Sequence, residues 1–192
     1  MNKVPIMKTI SFILFAFLCQ NAIAGGDSTK TAPILKLGEK APMFYLKTVD
    51  GEKFFLKDYC GTPREFVRTP RKNVILSFWA SWCGPCKKEI PELEILAEKY
   101  KSDDLAIFLI DVGDDVETTQ KLIQERGYKI PVITDENGVA ANKYCPKDGD
   151  RVILPTMAFI GKDGNLIHIK SGYTEGDMEA FEEILRQSLA AK

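Results

Sequence analysis

The chain has one histidine, His168, and only one of its cysteine spacings is Cys-x-x-Cys, at Cys83 and Cys86. Structural zinc needs four ligands, often as two such pairs. The second pair is missing, so no zinc centre is expected. A charge excess is missing as well: 26 Lys and Arg stand against 27 Asp and Glu, a net charge of −1. That leaves no basic footprint for a nucleic acid. Internal repeats and low-complexity tracts are absent. Long apolar runs are confined to one, "TISFILFAFLC" near the N-terminus, so the rest of the chain reads as a soluble domain.

That run follows Lys3 and Lys8 and ends in the small-x-small site Ala22-Ile23-Ala24. The order basic, apolar, small is that of a cleavable export signal, cut after Ala24. The alternative is an uncleaved membrane anchor, but an apolar core of roughly 10–12 residues is short against the ~20 of a span. Cleavage leaves 192 − 24 = 168 residues, enough for one domain with a real core. It also leaves 24 basic against 27 acidic residues, a net of −3, and four cysteines: Cys60, Cys83, Cys86 and Cys145. The expected location is the periplasm or another extracytoplasmic space, where disulfides persist. Residues 25–40 are polar, small and broken by Pro33, and read as a tether. Residues 41–192 form the domain.

Within it, "MFYLKTVDGEKFFL" predicts a β-hairpin around Asp50-Gly51. "KDYCGTPREFVRTPRKN" has no periodicity and reads as a long loop. "VILSFWA" and "LAIFLIDV" are continuous apolar runs, as in strands buried on both faces. Between them a helix is predicted from about Cys83 to Tyr100, with Ile90, Leu93, Leu96, Ala97 and Tyr100 at helical spacing. "DDVETTQKLIQERG" predicts a polar-faced helix stopped by Gly127. "IPVITDENG" gives a strand and turn, and "VAANKYC" a short helix. A hairpin turning at Asp163-Gly164 and a C-terminal helix close the chain. In that helix Thr174 and Asp177 fit a capping box. Strands alternating with helices imply an α/β fold, a mixed sheet covered on both faces.

The Cys pair falls where a buried strand gives way to a helix. A helix N-terminus offers unpaired N–H groups and about half a positive charge, and both favour thiolate, the nucleophilic form. Cys83, the more exposed position, is the predicted attacker of a disulfide. Cys86, one turn in, resolves the mixed disulfide and leaves a Cys83–Cys86 bridge. No bound cofactor is needed and no metal is assigned. Copper(I) held by Cys83, Cys86 and His168 stays open as a binding-protein alternative.

"WCGPCK" followed by Pro91 resembles thioredoxin, and "LPT" (Leu154 to Thr156) resembles that family's cis-proline signature. The likeness implies a thioredoxin fold from about Lys36 onward, with Pro155 cis and set against the Cys pair. Trp82, Leu154 and Pro155 would then shape the substrate groove. The N-terminal hairpin, the central β-α insert and the export signal resemble the TlpA/ResA/CcmG group of membrane-facing thiol reductases. That resemblance implies disulfide-containing protein substrates, in some members apocytochrome c, and a membrane thiol reductant of the DsbD/CcdA kind. An oxidase or isomerase on the same scaffold is the alternative, and a peroxidase a more distant one.

Three positions depart from the thioredoxin pattern. Ser77 stands where thioredoxins carry a buried Asp. Glu89 is its candidate replacement: at about 100° per residue it falls near 300° from Cys86, inside the arc of Ile90, Leu93 and Leu96. A carboxyl there has a raised pKa and can pass protons to and from Cys86. The loop after Cys60 carries Arg64, Arg68, Arg71 and Lys72 against Glu65. It reads as a solvated loop, or as a docking surface for acidic partners or lipid headgroups. Finally, an even cysteine count in an oxidising compartment pairs Cys60 with Cys145 as a structural disulfide, typically contributing ~2–4 kcal/mol. The alternative is a second redox pair relaying to Cys83–Cys86.

Overall fold

The computed structural model describes residues 35–66, 69–101 and 104–190. The expected signal peptide, residues 1–24, and the tether up to residue 34 lie outside them. Seven strands form one sheet: β1 (Tyr45–Thr48), β2 (Lys53–Phe55), β3 (Asn73–Trp79), β4 (Leu105–Val112), β5 (Val132–Asp135), β8 (Thr156–Ile160) and β9 (Leu166–Ser171). Their order is β2-β1-β5-β4-β3-β8-β9. The central strands β3, β4 and β5 run parallel, and β8, β9, β1 and β2 add antiparallel edges. Two-residue strands β6 (Lys147–Asp148) and β7 (Arg151–Val152) make a separate small hairpin that their length hides from any periodicity argument.

β3 is buried at all seven positions, as its unbroken apolar run requires. Its alternation builds two cores. Val74, Leu76 and Phe78 point into one, with Phe44, Phe54, Phe108, Tyr144, Cys60 and Cys145. Ile75 and Trp79 point into the other, with Cys83, Cys86, Ile90, Leu93, Phe181 and Leu185. The second face carries helices α1 (Cys86–Lys99), α2 (Val116–Arg126) and α4 (Asp177–Ala190); the first carries α3 (Ala141–Tyr144) and the N-terminal segment.

The end signals of α2 act as predicted. Asp115 caps α2 by accepting the Thr118 N–H (2.7 Å), and Gly127 ends it at φ 69°. Only half of the capping box forms at α4. The Asp177 carboxylate accepts the Thr174 N–H (2.6 Å) and also pairs with Lys170. The domain begins earlier than residue 41: Gly38 N–H bonds Leu166 C=O, Leu166 N–H bonds Glu39 C=O, and Ala41 N–H bonds Gly164 C=O. The last residues assigned to the tether are therefore an extra rung on β9.

The long loop docks at the end of the sheet remote from the Cys pair. Its Gly61 N–H bonds Lys162 C=O in the β8–β9 turn, beside the start of β3. There a Cβ on Gly164, at φ 83°, would stand 2.8 Å from Gly61 Cα, so glycine is required. Two of the loop's cations are spent on the domain itself. Arg64 forks onto Asp58 at 2.6 Å and lies 4.2 Å over the Phe55 ring; Arg71 donates to the Lys57 carbonyl at 2.7 Å. These contacts tie the loop to the domain; Arg68 lies outside the described residues.

Candidate active site

α1 begins at Cys86 with Pro85 as its N-cap, so Cys83 lies just before the helix and not in its first turn. Cys83 N–H bonds Ala80 C=O at 3.0 Å, which folds the loop back on the end of β3. Cys83 and Cys86 form a disulfide with Cα atoms 5.4 Å apart. The Cys86 N–H donates to Cys83 Sγ at 3.2 Å. One of the helix's free N–H groups is thus aimed at the sulfur that would carry negative charge after reduction. Cys83 is 3 % exposed and Cys86 0 %. The order agrees with the sequence expectation, although Cys83 is less open than predicted. Trp82 beside it is 62 % exposed.

The cis-proline loop closes the other side. The Leu154–Pro155 bond is cis. Phe78 pairs with Thr156 in the β3–β8 register, which brings Pro155 level with Trp79 at the foot of the Cys loop. Thr156 holds this segment: its hydroxyl donates to Ile153 C=O (2.7 Å) and meets Ser171 Oγ (2.8 Å).

Below Cys86, Glu89 is 4 % exposed, as its helical angle predicted. Ser77 Oγ donates to Glu89 Oε1 at 2.7 Å. The serine at the thioredoxin Asp position and the glutamate on α1 therefore form one buried unit. Burial pushes the Glu89 carboxyl up to about 7, against the Ser77 hydrogen bond; Glu92 and Asp177 add to the rise and Lys170 opposes it.

These parts fit together with what the chain is similar to. The AhpC/TSA family model matches residues 37–169. The chain belongs to the AhpC/TSA family. Among its relatives, the thiol-disulfide oxidoreductase ResA of Bacillus thuringiensis subsp. konkukian (strain 97-27) is 31 % identical over 153 residues, 80 % of this chain and 79 % of that protein. ResA of Geobacillus kaustophilus (strain HTA426) is 29 % identical over 183 residues, 94 % and 95 % of the two chains. The crystal structure of a putative thiol:disulfide interchange protein DsbE from Chlorobium tepidum superposes with a TM-score of 0.68 at 27 % identity, covering 81 % of this chain and 99 % of that one. This AhpC/TSA-family member is a thiol–disulfide oxidoreductase of thioredoxin fold, with its Cys83–Cys86 pair at disulfide distance.

The expected Cys60–Cys145 disulfide is not formed: both are free, fully buried thiols. Cys60 donates to Leu56 C=O at 3.8 Å, and Cys145 packs in the same core. Burial pushes both up to about 12, far from thiolate. The relay alternative fails as well, because both lie in the core across β3 from Cys83 and Cys86. In the oxidised chain lacking residues 1–24, a thiol reagent should find no fast-reacting group in the native state and two in denaturant. None in denaturant would restore the disulfide.

His168 does not approach the Cys pair. It sits on β9 opposite Phe159, its ring 5.8 Å from that of Phe181. Among the described residues, no three His, Cys, Asp or Glu are grouped to hold a metal. Sequence reasoning missed Asp111 near the end of β4 and Asp114 in the turn after it, and with them Ser81, which Asp114 binds. The available signal was a charged residue closing an otherwise apolar run, "LAIFLIDV".

Proposed function

We propose that this oxidoreductase works as an extracytoplasmic reductase of protein disulfides, carried there by the segment at residues 1–24. Cys83 thiolate attacks a substrate disulfide. One sulfur–sulfur bond breaks, a Cys83–substrate disulfide forms, and the first substrate thiolate leaves and takes up a proton. Cys86 then loses its proton to the Glu89 carboxylate and attacks Cys83 Sγ. The second substrate thiol leaves and the Cys83–Cys86 disulfide remains, two electrons having passed to the substrate. Trp82, Leu154 and Pro155 form the walls that the substrate chain lies against. A membrane thiol reductant of the DsbD/CcdA kind returns the two electrons, and apocytochrome c thiols are the client class that the ResA likeness suggests.

The observation that carries this reading is the buried Ser77–Glu89 unit beneath Cys86, joined to the Cys86 N–H aimed at Cys83 Sγ. A titratable base held near neutral pH serves a dithiol that must repeatedly gain and lose protons. The test is the reduction potential of Cys83–Cys86 in a redox-buffer series. A value near thioredoxin's, about −270 mV, is expected; a value near DsbA's, about −120 mV, would make the protein a disulfide donor and overturn the direction.

A further inference from the structure

One hairpin stands apart from the main sheet. Strands β6 and β7 pair only with each other, in the segment that joins Tyr144 of α3 to Pro155. Its base is closed, since Ile153 N–H donates to Pro146 C=O at 2.8 Å. Residues 147–152 therefore leave the domain and return to the same point. Asp148 faces Arg151 across the pair, opposite charges that favour this register. Gly149-Asp150 make the turn, with Gly149 at φ 61°, a sign that two-residue hairpin turns need and glycine supplies. Asp148, Gly149, Asp150 and Arg151 are exposed. The hairpin lies at the redox end of the sheet. β3 ends there at Trp79, just before the Cys loop. β5 is parallel to β3 and feeds α3 from that end, and antiparallel β8 starts from it at Thr156.

Antiparallel pairs alternate between hydrogen-bonded and non-hydrogen-bonded. The Ile153–Pro146 bond makes that pair a bonded one, so Lys147 and Val152, the next pair, are not bonded to each other. Val152 thus turns its backbone N–H and C=O away from β6, to an edge that no strand covers among the described residues. That edge is fixed in place. Val152 and Leu154 pack against the first core, and Leu154 also packs against the core that holds Cys83 and Cys86. An uncovered strand edge is a template for another chain. We propose that the β6–β7 hairpin is a substrate-selecting arm: an extended segment of a disulfide-bonded protein adds to the outer edge of β7 through the Val152 N–H and C=O, which carries the substrate groove beyond Pro155. The occupant follows from continuity with that groove, and the inference rests on Cys83 being the nucleophile beside it. Pairing through backbone reads extended conformation rather than sequence, so the arm admits many protein disulfides. A small disulfide without peptide backbone gains nothing from it.

Two variants test the arm. Replacing residues 147–152 by Gly-Gly removes it and keeps the Pro146–Ile153 hydrogen bond as the closing bond of a β-turn. Val152→Pro keeps the hairpin and removes only the outward N–H, at an edge position where proline is tolerated. The probes are insulin, with dithiothreitol recycling the Cys pair, and the small aromatic disulfide DTNB, cleaved in a single turnover by the reduced protein. Excision should lower kcat/KM for insulin by about tenfold, the effect of the two backbone hydrogen bonds one residue makes to an added strand. Val152→Pro should lower it about threefold. The DTNB rate of both should stay within about twofold of the parent. A loss shared by insulin and DTNB, or a loss on neither, would overturn the arm. A loss on excision that Val152→Pro does not share would overturn the added strand. Should the parent prove to be a disulfide donor, the reductase reading fails and the arm does not. The same split is then read with the oxidised protein, on reduced unfolded ribonuclease against dithiothreitol.

Discussion

Replacing Cys86 by serine should convert a catalyst into a trap. Cys83→Ser and Cys86→Ser remove the same number of sulfur atoms, but the proposed reaction uses them at different steps. Without Cys86, Cys83 still attacks, and the mixed disulfide has no internal thiol to break it. Cys86→Ser should therefore accumulate a one-to-one covalent complex with a disulfide substrate, visible on a non-reducing gel. Its first attack should run within about tenfold of the parent rate, with multiple turnover lost by about 10³-fold or more. Cys83→Ser should lose both, since a buried hydroxyl gives no thiolate equivalent.

The assignment follows from burial and hydrogen bonding together. Only Cys83 retains exposed surface, 3 % against 0 % for Cys86, and exposed Trp82 next to it offers the approach. The Cys86 N–H points at Cys83 Sγ, 3.2 Å away. A trapped complex on Cys83→Ser but not on Cys86→Ser would reverse the two roles. Normal turnover by either variant would end the dithiol mechanism.

What the sequence could and could not reveal divides along physical lines. Long apolar runs announce central strands, so β3 and β4 were legible, and caps such as Asp115 and Gly127 marked α2. Glu89 was legible because one helix turn fixes its direction relative to Cys86. Its partner Ser77 was noticed only as an absence, since its hydroxyl meets α1 through a tertiary contact twelve residues along the chain. The Cys60–Cys145 pairing failed for a related reason. Cysteine counting supplies no geometry, and two thiols can share one core without pairing, as Cys60, which donates to Leu56 C=O, and Cys145 do. Asp114 and Ser81 were illegible because their contact joins the loops after two strand ends that only the parallel β3–β4 register brings side by side. The extra rung at residues 38–41 was hidden by its polar, small composition, which looks the same whether paired with a strand or free.

Glu89→Gln should make the protein more stable and the enzyme slower, both in the same pH range. Glu89 is held at about 7 in the folded chain, against 4.5 for an ordinary glutamate. Between those values the folded state binds a proton that the unfolded state has released. The stabilisation from this group is thus complete below about pH 4.5, declines as pH rises, and is gone above about 7. Ionising a carboxyl in that site costs the fold about 3 kcal/mol. Glutamine fits the same space, still accepts the Ser77 hydroxyl and never ionises. Denaturant unfolding should therefore show Glu89→Gln matching the parent near pH 4 and exceeding it above pH 7 by up to ~3 kcal/mol. Catalysis should move oppositely. The parent's turnover should rise through pH 7 as Glu89 becomes able to accept the Cys86 proton. The variant should lack that rise and run about 10²-fold slower above it. A purely structural glutamate predicts the stability gain alone. Both curves unchanged would mean that Glu89 is solvated in solution, and the proton route from Cys86 would have to start elsewhere.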